Sequence, residues 1–322
     1  MKEILCFGDV IIDFISKDKG KDVASSTLFE KRPGGSIFNV SIGLARLGLP
    51  VNFLSKVGND EFGHYILELL KKEKVNPRWL LQEKAMKTSL AFAAVDSEGK
   101  TSFVFYKDTQ SFAEISQEDV ADLNPDQFCL YHFGSTSLLE QETSDTMINV
   151  LYKMKENGVL TSFDPNVRPT LVKNKENYLS MIKRLSGVSD IVKLSDDDLN
   201  YLFSTKNPDK ARIYLGIGEN TLLVVTLGEK GAAAYYRGDK ITVPGFNVNV
   251  AETTGCGDAF MASLIAGLLD KGYPNINEES LRNILLRANA AAAIVATRIG
   301  AANSMPIWKE INEFITNNNS SV

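Results

Sequence analysis

The segment AETTGCGDAFMASLIAGLL, residues 251–269, joins a glycine turn to an apolar run with helical spacing. Gly255 and Gly257 allow a tight turn in which successive N–H groups face one point. The helix that follows leaves its first N–H groups unpaired and has the positive end of its dipole there. Asp258 falls in the first helical turn. The segment therefore predicts an anion-binding cradle with a carboxylate beside it.

A simpler interpretation is that Thr254 or Asp258 only caps a helix, as such residues often do. Capping needs one side chain, whereas residues 252–258 hold two glycines, two threonines and two carboxylates. No Lys-Ser or Lys-Thr pair follows, so the turn is not a P-loop, and no dinucleotide-type glycine motif follows the first strand. A carboxylate beside a phosphate cradle suits proton removal from an attacking hydroxyl. The pattern predicts phosphoryl transfer to an alcohol.

Composition and charge exclude several other classes of protein. The chain has 322 residues, of which 44% are apolar and 23% charged, as in ordinary soluble domains. The net charge is -5 and basic residues are scattered, which argues against a nucleic-acid partner. The apolar runs are too short for a membrane span, so we expect a cytoplasmic protein without a membrane partner. Isolated Cys6, Cys129 and Cys256, with only two histidines, favour neither disulfides nor a zinc site.

Short apolar runs alternate with amphipathic helical stretches along most of the chain, which predicts an α/β fold with a mainly parallel sheet covered on both faces. Residues 10–31 and 88–112 instead have a period-2 pattern with a turn signal at 96–100, which predicts a small β-sheet lid inserted in a single domain spanning 1–322. The C-terminal tail is expected to fray. The predicted strands are 4–8, 51–57, 128–134, 159–164, 190–195 and 221–228, and the predicted helices are 60–73, 141–156 and 256–270.

The motif TTGCGDAF at 253–260 resembles the C-terminal signature of the ribokinase-like (PfkB) carbohydrate kinases, whose last aspartate is the catalytic base. Four more segments resemble that family in the same order: PGGSIFNVSIGLARLG (33–48), KVGNDEFG (56–63), VTLGEKGAAAYY (225–236) and NAAAAIVATRIGAANSMP (289–306). The resemblance implies a ribokinase-like fold with a β lid, ATP and Mg²⁺ as cofactors, and potassium as a further candidate. The exposed face and edges expected of the lid sheet predict a homodimer formed through the lid.

Other segments indicate the substrate. GDVIIDFI (8–15), YHFGSTSL (131–138) and FDPNVRPTL (163–171) are most similar to the family's fructokinases and 2-keto-3-deoxygluconate kinases. This resemblance implies phosphorylation of D-fructose, with 2-keto-3-deoxygluconate or another sugar as the alternative. A ribose or nucleoside substrate is disfavoured because Ile11 is apolar where ribokinases commonly have Asn. A non-catalytic sugar or nucleotide sensor is the remaining alternative, although a sensor would not need Asp258.

The resemblance also assigns roles by position. Asp258 is the base, and Gly255, Cys256 and Gly257 form the anion hole with it. The sugar side comprises Asp13, Gly34, Gly35, Asn39, Arg168 and Lys107, and the nucleotide side comprises Thr226, Gly228, Gly231, Thr254 and Asn303.

Three positions in two motifs depart from the family pattern. In KLSDDDLNYL (193–202), Ser195 and Asp198 replace the Asn and Glu of an N-x-x-E motif linked to Mg²⁺. The shorter Asp198 is expected to reach the metal through water, or to cap a helix with Ser195. Glu252 stands where Asp is usual in a monovalent-cation site that also includes Ser304. Its longer side chain weakens the expectation of potassium activation.

Overall fold

A computed structural model describes residues 2–95, 97, 101–106 and 114–319. Most of the predicted turn at 96–100, Lys107 and the end of the C-terminal tail lie outside the described residues. Within the described residues, the strands form two separate sheets of very different size. No described helix is both long and apolar enough to cross a membrane.

The larger sheet has the strand order β13-β12-β11-β10-β9-β8-β1-β4-β5. Its strands pair in parallel except at one edge, where β12 and β13 run antiparallel. Each strand predicted for this sheet is present close to its predicted bounds. The strands are β1 (Glu3–Phe7), β4 (Val51–Gly58), β5 (Leu80–Glu83), β8 (Phe128–Gly134), β9 (Leu160–Asp164), β10 (Ile191–Ser195), β11 (Leu222–Thr226), β12 (Ala232–Tyr236) and β13 (Asp239–Val243).

Helices cover both faces of this sheet. In β1, Ile4 and Cys6 belong to one buried apolar cluster while Leu5 and Phe7 belong to another. A strand buried on both faces needs such continuous apolar sequence. Helices α1 (Ser36–Arg46), α2 (Glu61–Lys72), α7 (Cys256–Asp270), α8 (Glu278–Ala296) and α9 (Trp308–Asn319) pack on the first side, and α3 (Gln141–Glu156), α4 (Lys175–Val188), α5 (Asp196–Phe203) and α6 (Ala211–Leu215) on the second.

The smaller sheet has the order β3-β2-β6-β7 and is named the lid sheet here. It consists of β2 (Ile11–Ser16), β3 (Phe29–Gly34), β6 (Leu90–Val95) and β7 (Thr101–Tyr106). These strands come from the two segments with period-2 patterning, and β3 extends past the predicted limit to Gly34. Because β3 runs directly into α1, the lid sheet is attached beside the carboxyl ends of the large sheet.

The chain order along the large sheet reverses between β1 and β8. These two strands pair in parallel, but the chain continues from β1 toward β4 and from β8 toward β9, on opposite sides. Such a switch point leaves a crevice at the carboxyl ends of the strands, where ligands bind in open α/β sheets. Asp9 follows β1 and Thr136 follows β8, and the Thr136 hydroxyl donates to the Asp9 carboxylate at 2.7 Å. The crevice therefore lies beside the start of the lid sheet.

Candidate active site

Asp258 lies in the first turn of α7, behind the glycine turn. Gly255 caps the helix with φ 85°, a left-handed conformation that favours glycine. The first bond of the helical ladder runs from the Ala259 N–H to the Gly255 carbonyl, so the N–H groups of Gly257 and Asp258 precede it. These are the donors that a helix N-terminus leaves for an anion. The structure thus has the turn geometry that the sequence predicts, and anion binding at the turn stays a prediction.

Two side chains of α1 hold the Asp258 carboxylate. The Ser36 hydroxyl donates to Oδ1 at 2.6 Å and the Asn39 amide donates to Oδ2 at 2.8 Å. Ser36 and Asn39 are one helical turn apart and so share a face of α1. The resemblance assigned Asn39 to the sugar, whereas in the structure its amide donates to Asp258. Ser36 was missed, although its i, i+3 spacing from Asn39 in PGGSIFNVS was the signal that could have found it.

The environment of Asp258 raises the pKa of its side chain. Its side chain is buried, with 7% of the residue exposed. Burial raises the pKa of Asp258 above the ordinary carboxyl range, and the hydrogen bonds from Ser36 and Asn39 and the charge of Lys193 offset only part of this rise. A carboxylate with a raised pKa accepts a proton more readily than an ordinary Asp. The site is therefore suited to general-base chemistry.

Lys193 places a buried positive charge next to the glycine turn. It extends from β10, and its Nζ lies 2.9 Å from Asp164 Oδ2 at the end of β9. The same Nζ would lie 3.3 Å from a Cβ atom placed on Gly257. Burial alone would lower the pKa of Lys193, but Asp164, Asp198 and Asp258 raise it, so the amine stays charged. The sequence contains no P-loop lysine, and only the tertiary structure brings this cation next to Gly257.

Asp198 occupies a capping position at the start of α5. One carboxylate oxygen accepts from the Val167 N–H at 2.9 Å and the other from the Ser195 N–H at 2.7 Å. The Ser195 hydroxyl in turn accepts from the Asp198 N–H at 3.0 Å, which completes a capping box. Within the described residues, no group of three or more His, Cys, Asp or Glu side chains is arranged to hold a metal ion.

Asp13 lies on β2 of the lid sheet and faces the crevice beside the glycine pair. A side-chain carbon added at Gly34 would overlap its carboxylate, and one added at Gly35 would overlap the Asp9 carbonyl. Gly35 also has φ 113°. The two glycines thus let the lid strand approach the start of α1. Burial, and then the nearby charge of Asp9, raise the pKa of Asp13 to about 7, against the opposing charge of Arg32.

Arg168 is exposed and folds back on its own loop. Its Nη1 donates to the Asn166 side chain at 2.7 Å and to the Val167 carbonyl at 3.2 Å. It therefore lies in the loop after β9 without contacting Asp258 or Asp13. Lys107, which was also predicted to contact the sugar, lies in the part of the chain that the structure does not describe.

The predicted nucleotide residues follow the carboxyl end of β11. Thr226 ends that strand, and Gly228 begins a short 3₁₀ turn that returns to β12. A side chain at Gly231 would overlap the Val243 carbonyl, so this glycine allows close backbone packing. Thr254 and Asn303 are exposed, one in the turn before α7 and the other in the loop after α8. Their role in nucleotide binding stays a prediction.

Cys256 is the first residue of α7. Its half-buried thiol has a pKa raised to about 11 by burial and by the charges of Asp258 and Glu252, so the thiol stays protonated. Its backbone N–H donates to the Thr253 carbonyl at 3.3 Å. Cys256 therefore supports the shape of the turn, and its sulfur is not activated as a nucleophile.

Glu252 forms an ion pair with Arg32 of the lid sheet. Its Oε2 accepts from Arg32 Nη1 at 2.9 Å and from the Gly300 N–H at 3.0 Å. Ser304 is buried, and its hydroxyl donates to the Ile299 carbonyl at 3.1 Å. The structure thus brings the predicted cation-site loop next to Glu252, together with an arginine that the sequence interpretation did not include.

Comparison with known proteins agrees with this arrangement. Residues 1–308 match the family described as pfkB family carbohydrate kinase. Fructokinase-2 of Oryza sativa subsp. japonica is 34% identical over 317 residues, which cover 97% of this chain and 94% of the rice protein. The similarity to this family therefore extends over nearly the whole chain.

Solved structures give the same result. A fructokinase from Xylella fastidiosa with bound ATP has a TM-score of 0.88 at 27% identity, covering 99% of this chain and 100% of that one. A fructokinase variant from Vibrio cholerae O395, bound to fructose, ADP and potassium, has a TM-score of 0.85 at 27% identity, with 98% of each chain covered. The predicted fold class, a mainly parallel sheet with helices on both faces and a smaller β-sheet, is confirmed. The chain belongs to the pfkB carbohydrate kinase family.

Proposed function

We propose that this pfkB-family carbohydrate kinase transfers the γ-phosphoryl group of ATP to a hydroxyl of D-fructose. The observation that carries the proposal is the buried Asp258 carboxylate at the glycine turn, with its donors from α1 and a buried lysine alongside. The similarity to fructokinases supports ATP and fructose as the substrates. A cytoplasmic location, where ATP is available, is consistent with this reaction.

In the proposed reaction, Asp258 accepts the proton of the attacking sugar hydroxyl. The hydroxyl oxygen bonds to the γ-phosphorus while the bond between that phosphorus and the β–γ bridging oxygen breaks, which releases ADP. The N–H groups at the start of α7 hold the charge that develops on the transferred group. Lys193 adds a fixed positive charge on the same side.

Magnesium, bound with ATP, would neutralise phosphate charge during the transfer. We assign Asp198 to this ion through water. Both of its oxygens already accept backbone N–H groups, which leaves lone pairs for metal-bound water but makes direct ligation unfavourable. Mg²⁺ commonly keeps several waters and takes few protein ligands, so a single outer-sphere carboxylate fits it.

The sugar is expected to bind between Asp13 and Asp258, under the lid sheet. The Asp13 carboxylate accepts sugar hydroxyls, and closure of the lid segments 10–31 and 88–112 excludes water, which would otherwise compete as the phosphoryl acceptor. The exposed position of Arg168 gives no support to a carboxylated sugar, because its guanidinium is engaged within its own loop.

We also propose a homodimer formed through the lid sheet. Val104 and Tyr106 on β7, with Leu28 before β3, are large exposed apolar residues of this small sheet. Such patches favour protein partners. Light scattering is expected to give a dimeric mass for the wild type and a monomeric mass for Tyr106→Lys. A monomeric wild type would contradict the proposal.

The function is tested by ADP release with Mg-ATP over fructose, tagatose, glucose, ribose, 2-keto-3-deoxygluconate and adenosine, with Asp258→Asn as the blank. The largest kcat/KM is expected with fructose. Another preferred sugar would leave the kinase mechanism standing and overturn the substrate. No response to any of them, with ATP binding retained, would favour a non-catalytic sensor.

A further inference from the structure

The carboxylate of Glu252 accepts hydrogen bonds from two groups of this chain. Arg32 reaches it from strand β3 of the lid sheet, and the Gly300 N–H reaches the same oxygen from the loop after α8. The Arg32 side chain is only 12% exposed and that of Glu252 26% exposed. The guanidinium also contacts Glu30 at 2.9 Å, so it is held between two carboxylates. This pair joins the lid sheet to the loop beside the glycine turn.

The carbonyls of that loop are likewise bonded to donors of the chain. The Ile299 carbonyl accepts from the Ser304 hydroxyl at 3.1 Å, and the Ser304 carbonyl accepts from Arg298 at 3.1 Å. The Asn303 carbonyl accepts from Arg46 at 3.0 Å. A monovalent cation held by carbonyls and a carboxylate would have to compete with these donors, two of which carry positive charge themselves. The residues present do not fit a potassium ion at Glu252.

The loop also supports the anion cradle. Ala301, the residue after Gly300, lies against the glycine turn, since a Cβ atom added at Gly255 would lie 2.7 Å from the Ala301 Cβ. Arg32 is directly opposite Asp13 in the pairing of β2 with β3. A continuous set of contacts therefore runs from the strand that carries Asp13, through Arg32 and Glu252, to the turn that precedes Asp258.

We infer that the Arg32 guanidinium takes the place of a monovalent cation at Glu252 and couples the position of the lid sheet to the shape of the anion cradle. Arg32 is a positioning residue, because it acts through Glu252 and the loop. The enzyme consequently needs no potassium. The inference about turnover rests on the proposed kinase function, and the inference about the cation does not.

The cation part is tested by thermal unfolding without sugar or nucleotide, in potassium chloride and in choline chloride at equal ionic strength. A bound cation stabilises the folded state by mass action, so a filled potassium site would raise Tm. We expect equal Tm values for the wild type, and a higher Tm in potassium for Arg32→Gln, which leaves the carboxylate of Glu252 without its cation. A potassium-specific rise in the wild type, or none in Arg32→Gln, would overturn the inference.

The coupling part is tested by turnover in the same two salts. Arg32→Gln is expected to lower kcat by roughly tenfold to a hundredfold, as small misplacements of reacting groups do, and potassium is expected to restore part of the loss. Lys31→Gln is the matched control, because Lys31 is on the same strand but packs over the Tyr65 ring, with 3.7 Å from its Nζ to the ring centroid. Equal losses in both variants would show a general effect on the strand and overturn the coupling.

Two further results keep the tests separate. If the wild type phosphorylates no sugar, the proposed function fails while the unfolding result still decides the cation question. If Arg32→Gln does not fold, Glu252→Gln breaks the same pair from the other side. That variant is expected to lose turnover without any response to potassium, since the carboxylate is gone, and unchanged turnover would contradict the coupling.

Discussion

The region around Asp258 and the region around Asp13 handle a buried carboxylate in different ways. Asp258 is on the large-sheet body, where it accepts hydrogen bonds from Ser36 and Asn39 and lies near Lys193. Asp13 is on the lid sheet, beside Asp9, and its main opposing charge is Arg32. The Asp258 carboxylate is thus held by groups of the protein before any ligand arrives. In the proposed reaction, the base lies on the large-sheet body and the carboxylate that binds the sugar lies on the lid sheet.

The largest expected effect tests the base on the body side. Asp258→Asn should lower kcat by roughly 10²–10⁴-fold, the usual range for a lost general base, while ATP binding is retained. Steady-state kinetics and calorimetric titration of ATP check both parts. Asp270→Asn is the matched control, because Asp270 is exposed at the other end of α7. Equal kcat in the wild type and Asp258→Asn would remove Asp258 from the mechanism.

The next effect separates charge stabilisation from structure at Lys193. Lys193→Met leaves Asp164 buried without its partner, which should cost about 3–5 kcal/mol of unfolding free energy. The double variant Lys193→Met/Asp164→Asn removes both charges and should recover much of that stability. If Lys193 stabilises the developing phosphate charge, kcat of the double variant stays roughly 10²–10³-fold low, as for a lost transition-state contact. Recovery of turnover together with stability would show that the ion pair is only structural.

The smallest effect is a pH shift on the lid side. Because the pKa of Asp13 is raised to about 7 by burial and by Asp9, kcat/KM for the sugar should rise with pH as Asp13 ionises. Asp9→Asn removes the neighbouring negative charge and lowers the pKa of Asp13, so the rise of kcat/KM should move to lower pH. In Asp13→Asn this rise should vanish, which leaves only the rise due to ionisation of Asp258. A rise at the same pH in Asp9→Asn and the wild type would show that Asp9 does not act on Asp13.

The fold was largely predictable because its pattern is local. Buried parallel strands need short continuous apolar runs, and these runs were found near the observed bounds of β1, β4 and β8 through β11. The antiparallel strands β12 and β13 were not singled out, since β12 begins with three alanines, which have low β propensity, and β13 is short with only two buried residues. The lid strands were predicted as a separate β segment, although β3 continues to Gly34 because the glycine pair permits its close approach to Asp13.

The site was predictable in its chemistry and less so in its contacts. The glycine turn at 255–257 and the aspartate after it predict an anion cradle with a base, since local backbone geometry and helix polarity favour one. The assignment of Asn39 to the sugar stays a prediction, and it did not anticipate the hydrogen bond from Asn39 to Asp258. Asp198 caps α5 together with Ser195, which was one of its two predicted roles. Its link to magnesium stays a prediction.

The sequence by itself determined the alternating α/β pattern, the family and the identity of the cradle, because each of these depends on residues close together in the chain. Only the tertiary structure decided three contacts. The Ser36 hydroxyl donates to Asp258, and Lys193 lies beside Gly257. Arg32 forms an ion pair with Glu252. These partners are far apart in the chain, and their contacts arise from how α1, β10 and the lid sheet pack around one crevice. Charge and hydrogen-bond pairing across such distances depends on packing, which no local pattern encodes.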